Sequence, residues 1–110
     1  MIDLIQRNIT SIDIPYGITQ IGDHAFRGCT NLIDVSIPNT VEHIYNSAFE
    51  GSGLRSINLP PSVRLLGGSC LKNTKIQHLY IPNTISQTYG NFNTALDVFS
   101  YNSSLISVTF

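Results

Sequence analysis

Charge is what this 110-residue chain has least of. Only 12% of its residues are Asp, Glu, Lys or Arg, about half the share usual in soluble domains. With a hydrophobic fraction of 42% a core is available, and the surface is left largely to Ser, Thr, Asn and Gln. The net charge of −1 gives no reason to expect nucleic acid or an anionic membrane as partner. No apolar run approaches the roughly 18 residues of a membrane span, so membrane insertion is not expected. Residues 1–8 lack the basic start, apolar stretch and small-residue cleavage site of a secretory signal. Localisation therefore stays unknown, and any export signal is expected outside this chain. Two cysteines say little about redox compartment.

The sparse charge is unevenly placed. Residues 1–53 hold six acids against two arginines, whereas residues 54–110 hold four basic residues against Asp97. Such asymmetry fits head-to-tail attraction between copies or a polarised partner, and equally fits drift among solvated positions.

What the chain has is a phrase written four times. Pro15, Pro38, Pro60 and Pro82 each follow an apolar residue and precede another by three positions, at intervals of 23, 22 and 22 residues. A period of this length is the mark of a solenoid, whose units bury their apolar faces only by stacking. Aligned on the prolines, the columns are consistent: Ile9, Leu32, Leu54, Ile76 and Leu105; then Ile12, Val35, Ile57, Leu79 and Val108; then Ile14, Ile37, Leu59, Ile81 and Phe110. Alternation at period two marks a strand. Proline ends it, because a ladder needs the N–H that proline lacks.

A second apolar pair follows each turn: Ile18 with Ile21, Val41 with Ile44, Val63 with Leu66. A compact segment comes next, carrying Ala25-Phe26, Ala48-Phe49 or Cys70-Leu71. Asp23 and Asn46 precede it in capping positions. Gly28, Gly51 and Asn73 follow it, where a left-handed residue closes a helix. The spacing predicts a single helical turn there, since about 33 residues are needed for a helical-pair repeat. The expected fold is an α/β repeat solenoid. About five short parallel strands form one face, and short extended segments with single helical turns form the other. The units run 9–31, 32–53, 54–75 and 76–104, with a partial unit at 105–110 and residues 1–8 as the tail of a preceding unit.

Residues 18–32, with Ile18, Ile21, Gly22, Ala25, Phe26, Gly28, Cys29 and Leu32, followed by Val35, Ile37 and Pro38, resemble the BspA-type leucine-rich repeat. The second unit keeps the pattern with Tyr45 at the usual glycine, and the third puts Cys70-Leu71 in place of Ala-Phe. The fourth is lengthened between Ile85 and Phe99. The resemblance covers nearly the whole chain and implies a curved leucine-rich solenoid. Members of that family are often large microbial surface proteins associated with adhesion and host-protein binding. The implied function is a non-enzymatic protein–protein interaction module, adhesive in a surface context. The alternative is a structural spacer or intracellular scaffold segment with no ligand of its own. Family membership carries a scaffold, not an active site.

No catalytic, metal or cofactor motif stands out. Cys29 and Cys70 fall in different columns two units apart, about 10 Å by strand spacing, beyond the roughly 7 Å limit of a disulfide. They read as buried thiols. His24, His43 and His78 occupy three different columns and do not converge as ligands must. Gly67-Gly68-Ser69-Cys70 lacks the spacing of a nucleophile elbow and aligns with Gly22-Asp23-His24-Ala25 as structural punctuation. Asn8-Ile9-Thr10 and Asn102-Ser103-Ser104 are glycosylation sequons that matter only in a secreted protein.

The strand face is more informative. Between the inward columns lie Ser11 and Asp13, Asp34 and Ser36, Ser56 and Asn58, His78 and Tyr80, then Ser107 and Thr109. Concave solenoid faces bind partners, and aromatic residues anchor interfaces. The candidate partner-binding residues are therefore Asp13, Asp34, Ser36, Asn58, His78 and Tyr80, the last two as the strongest anchors. Tyr89 and Phe92 join them from the insert in the fourth unit, where repeat insertions often serve binding. The competing reading leaves the strand face merely solvated and folds Phe92 and Leu96 back onto the core. Phe110 falls in an inward column, and neither end shows a polar cap. The expectation is a piece of a longer array or a short copy that associates end to end.

Overall fold

The computed structural model describes residues 8–85 together with the strands Gln87–Tyr89 and Ser107–Thr109. Along the chain the strands are β1 (Ser11–Asp13), β2 (Gln20–Ile21), β3 (Asp34–Ser36), β4 (His43–Ile44), β5 (Leu65–Gly67), β6 (His78–Tyr80), β7 (Gln87–Tyr89) and β8 (Ser107–Thr109). All pairings among them are parallel. Each joins a strand to its counterpart one coil further on: Ile12 faces Val35, Ile21 faces Ile44, and Ile44 faces Leu66. The chain is therefore a stack of coils, and the proline-phased columns become stripes through its interior.

Most of those stripes are dry where coils lie on both sides, although Val35 and Ile37 stay half-buried. Leu32, Leu54 and Ile76 are fully buried, as are Val41, Val63, Ile44, Ala48, Phe49 and Cys70. In the first described coil the matching Ile9, Ile12 and Ile14 are half-buried, and Ile18 is 41% exposed. Each large apolar side chain that is buried stabilises by about 1.5–3 kcal/mol, so the interior of the stack holds most of the stability. The Phe26 and Phe49 rings stack face to face at a centroid distance of 5.4 Å, and Leu71 continues the column.

The compact segment is not helical. No helix forms among the described residues. Residues 22–29 instead make consecutive reverse turns, with the N–H groups of Ala25, Arg27 and Cys29 donating to the carbonyls of Gly22, His24 and Phe26. The intervening N–H groups, those of His24, Phe26 and Gly28, point across to the next coil and donate to Asn46, Ala48 and Glu50 at 2.9, 2.7 and 2.8 Å. One coil on, Ser47, Phe49 and Gly51 donate to Gly68, Cys70 and Lys72 at 3.0, 2.9 and 2.9 Å. A helix aims every amide along its own axis and leaves none for a neighbour. Stacked turns satisfy the same buried amides while joining the coils. The geometry needs a left-handed residue at both ends. Gly28, Gly51 and Asn73 supply one end with φ of 75°, 73° and 57°, as their sequence position suggests. His24, Ser47 and Ser69 supply the other with φ of 60°, 57° and 61°, which no glycine signals.

Asp23 and Asn46 likewise act across coils instead of capping their own segment. Asp23 Oδ1 accepts from the Asn46 N–H at 3.0 Å, and Asn46 Oδ1 accepts from the Gly68 N–H at 2.8 Å. The series stops at Gly68, which has no side chain to extend it.

The two faces carry different sheets. The short extended segments form the longer one, β2-β4-β5-β7, here called the back sheet. The front face has two pairs, β1-β3 and β6-β8, and residues 56–58 between them are not in a strand. The five-stranded front sheet expected from alternation is thus interrupted. At its entrance the rung from the Ile33 N–H to Thr10 O spans 2.8 Å, but the equivalent rung from Arg55 to Ile33 stretches to 3.4 Å. Coil two carries one residue fewer than coil one between turn and strand, and Gly53 sits where that residue is missing, with room for no Cβ: one would lie 2.3 Å from Thr30 O. Alternation decides which side chains turn inward. A ladder also needs two backbones within bonding distance, and the packed connections set that distance.

Candidate functional site

The outward residues of the front strands are exposed, as period-two alternation requires. Ser11, Asp13, Asp34, Ser36, Ser56, Asn58, His78, Tyr80, Ser107 and Thr109 all face solvent, while Ile57 and Leu79 between them are buried. Residues 56–58 keep this alternation although they make no ladder. The face is consequently a row of polar side chains held on a rigid apolar backing.

Four of the predicted residues come together. Asp13, Asp34, Ser36 and Asn58 line a groove of about 370 Å³, with Ser11, Ile12, Val35 and Ile37 completing its walls and floor. Ile12, Val35 and Ile37 are half-buried and were legible only as core columns, so nothing in the sequence marked them as lining a groove. His78 and Tyr80 share the front face but lie on β6, outside that lining. There His78 faces Ser107 and Tyr80 faces Thr109. His78 Nδ1 and Ser107 Oγ share a hydrogen bond of 2.9 Å, and Tyr80 is 59% exposed.

Tyr89 does not join this surface. It lies in β7 at the edge of the back sheet, paired with Gly67 of β5. Phe92 lies outside the described residues. Tyr16, which the repeat pattern does not single out, is at 84% the most exposed large apolar residue among the described residues. Its signal was available: it occupies the turn position where the other coils place Asn39, Pro61 and Asn83.

The remaining candidates have structural places. Cys29 and Cys70 are buried thiols. Ser69 sits at the left-handed entry of a stacked turn. Among the described residues no three His, Cys, Asp or Glu side chains gather as metal ligands do, and no helix is long and apolar enough to cross a membrane. On the back face His43 Nδ1 and the Tyr45 hydroxyl are 3.4 Å apart, with the rings tilted at 56°. Arg27 Nε lies 3.7 Å from Glu50 Oε1 on neighbouring turns.

Solved structures share this architecture. A leucine-rich repeat protein from Bacteroides ovatus superimposes with a TM-score of 0.84 at 28% identity, over 94% of this chain and 26% of its own length. The T. pallidum leucine-rich repeat protein gives a TM-score of 0.72 at 21% identity, over 91% of this chain and 56% of its own. A leucine-rich cell surface protein from Faecalibacterium prausnitzii gives 0.53 at 14% identity, covering 94% of this chain and 42% of that one. The chain thus spans between about a quarter and just over half the length of these neighbours. No curated protein matches it. The sequence pattern of the BspA-type leucine-rich repeat region, in contrast, matches six copies over residues 5–110. Repeat sequence, parallel coil-to-coil pairing and structural neighbours agree, and the chain belongs to the BspA-type leucine-rich repeat family.

Proposed function

We propose that this chain is a non-enzymatic protein-interaction module that binds through its front face and serves adhesion in a surface context. One observation carries the reading: polar and aromatic side chains from successive coils, Ser11 through Tyr80, stand exposed in a row, alternating with half-buried or buried apolar neighbours. The apolar backing of Ile12, Val35, Ile57 and Leu79 holds these groups in place before a partner arrives, which lowers the ordering cost of binding. Tyr80 and His78 are the anchors, since large planar side chains contribute contact area at small entropic cost. Leucine-rich repeat proteins commonly serve protein interaction, and one neighbour is described as a cell surface protein; the surface setting is taken from there.

The test is to pan a displayed library of protein fragments against the immobilised full chain and to compare each binder with the double variant His78→Ala, Tyr80→Ala. Both side chains are exposed, so the fold survives the change. The expected result is at least a roughly tenfold loss of affinity with an unaltered circular dichroism spectrum. Binders that hold the variant as tightly as the wild type would refute His78 and Tyr80 as the anchors. A spacer role within a larger protein is the second reading, favoured by the 26% of the Bacteroides protein that the chain spans. It predicts that panning enriches nothing.

A further inference from the structure

The front groove carries two carboxylates, and among the described residues no ion pair holds either of them. Asp13 on β1 and Asp34 on β3 are both exposed at its rim. In the register Asp13 faces Ser36 and Asp34 faces Ser11, a diagonal that sets the two carboxyl-bearing residues roughly 8 Å apart from strand spacing and rise. Among the described residues no Lys, Arg or His lines the groove. Between the carboxylates runs an apolar floor of Ile12, Val35 and Ile37. Asn58 forms the far wall, on the segment that makes no ladder with β3. No hydrogen bond joins residues 34–37 to residues 56–59 among the described residues. Asp34 and Ser36 direct their backbone groups to β1, as the bonds from Asp34 N–H to Thr10 O and from Ile14 N–H to Ser36 O show. The Val35 N–H and C=O between them therefore point the other way, toward the opening.

We propose that this groove takes an extended, lysine- or arginine-bearing segment of a protein partner. The proposal rests on the interaction reading above and supplies the chemistry of the partner. A long basic side chain lays its methylene stem along Ile12, Val35 and Ile37 and brings its cationic head to a carboxylate. Ser11, Ser36 and Asn58 offer hydrogen bonds to the main chain of the segment, which an extended peptide needs wherever it leaves water. Two aspartates alone do not make a metal site, and among the described residues no three His, Cys, Asp or Glu side chains gather. The two carboxylates suit successive same-side residues of an extended chain, which are spaced by about 6.6–6.8 Å.

The test titrates the full chain into a short fluorescein-labelled peptide of alternating lysine and valine, read by anisotropy at low and at physiological salt. A second peptide carries glutamate in place of lysine. Expected is saturable binding of the lysine peptide, weakened roughly tenfold or more by Asp13→Asn with Asp34→Asn, and no binding of the glutamate peptide. Glu42→Gln with Glu50→Gln changes the net charge equally but lies outside the groove, and it is expected to bind like the wild type. The proposal is overturned if the lysine peptide fails to saturate, if the aspartate pair can be removed without loss, or if the control pair weakens binding as much. Binders from the fragment library separate the two readings. Loss with the His78 and Tyr80 changes but not with the aspartate changes sinks the groove and leaves the front face standing. Loss of the lysine peptide with the aspartate changes, when no library binder responds to the His78 and Tyr80 changes, sustains the groove and sinks His78 and Tyr80 as the anchors.

Discussion

Asn46 Oδ1 accepts a hydrogen bond of 2.8 Å from the Gly68 N–H, one coil further along the stack. A residue whose sequence position looks like a local cap is an inter-coil staple, and its own N–H is held in the same way by Asp23 at 3.0 Å. Removing the acceptor leaves a partly buried amide without a partner. Asn46→Ala is expected to cost about 1–3 kcal/mol, whereas Asn46→Asp keeps an oxygen in place and stays within roughly 1 kcal/mol of wild type. Urea midpoints of the two variants distinguish a staple from a residue that matters only for its turn.

Two glycines of the back face differ in what surrounds them. A Cβ on Gly67 would meet Asn46 N and Tyr45 C at 2.4 Å, while one on Gly22 has nothing within 4 Å. Gly67→Ala must push two coils apart and is expected to destabilise by about 1–3 kcal/mol or more. Gly22→Ala should be neutral or stabilising by up to about 1 kcal/mol, through the unfolded chain. Thermal melts that rank the two alike would contradict the coil spacing described above.

Phe49 is fully buried against Phe26 and has Leu71 as its counterpart in the next coil. Truncation by Phe49→Ala is predicted to cost about 3–5 kcal/mol. Because the column already accepts leucine, Phe49→Leu should cost less than about 1.5 kcal/mol. Chemical denaturation with both variants checks the ratio, and a Leu variant as damaging as Ala would mean the ring stack itself holds the coils.

His24 is exposed and carries a φ of 60°. A left-handed backbone costs a residue with a Cβ about 1–2 kcal/mol, and glycine returns part of that as unfolded-state entropy. His24→Gly should therefore raise stability by about 0.5–1 kcal/mol. A lower melting temperature would show that the imidazole makes a stabilising contact.

Sequence and structure part company wherever one coil meets the next. Leu32, Val41, Ile44, Leu54, Val63, Ile76 and Leu79 announced their burial correctly, because inward orientation follows from alternation within one unit, whereas Ile18 in the first described coil is exposed. Gly28, Gly51 and Asn73 announced their left-handed φ for the same reason: the requirement and the residue that meets it are local. His24, Ser47 and Ser69 share that conformation without a compositional sign, since the bonds from one coil to the next impose it. Asp23 and Asn46 pointed to the correct segment and the wrong partner. Of the candidate site, Asp13, Asp34, Ser36 and Asn58 do converge, because a constant period carries equivalent side chains to one face. Tyr89 went to the opposite sheet, where it keeps the 22-residue register with Gly67; taking it as part of a loop insert hid the column it shares with Gly22, Tyr45 and Gly67.

By itself the amino-acid order determined the repeat, its period, the identity of the buried stripes and the solvent-facing row on the strands. Those depend on distances of a few residues, where backbone geometry leaves little choice. Only the tertiary structure decided that the compact segments are stacked turns instead of helical ones, that the front ladder opens at residues 56–58, and that the opening leaves an acidic groove. Each of these turns on the gap between two coils 22 or 23 residues apart in sequence, a distance that packing of every layer sets together and no single layer encodes.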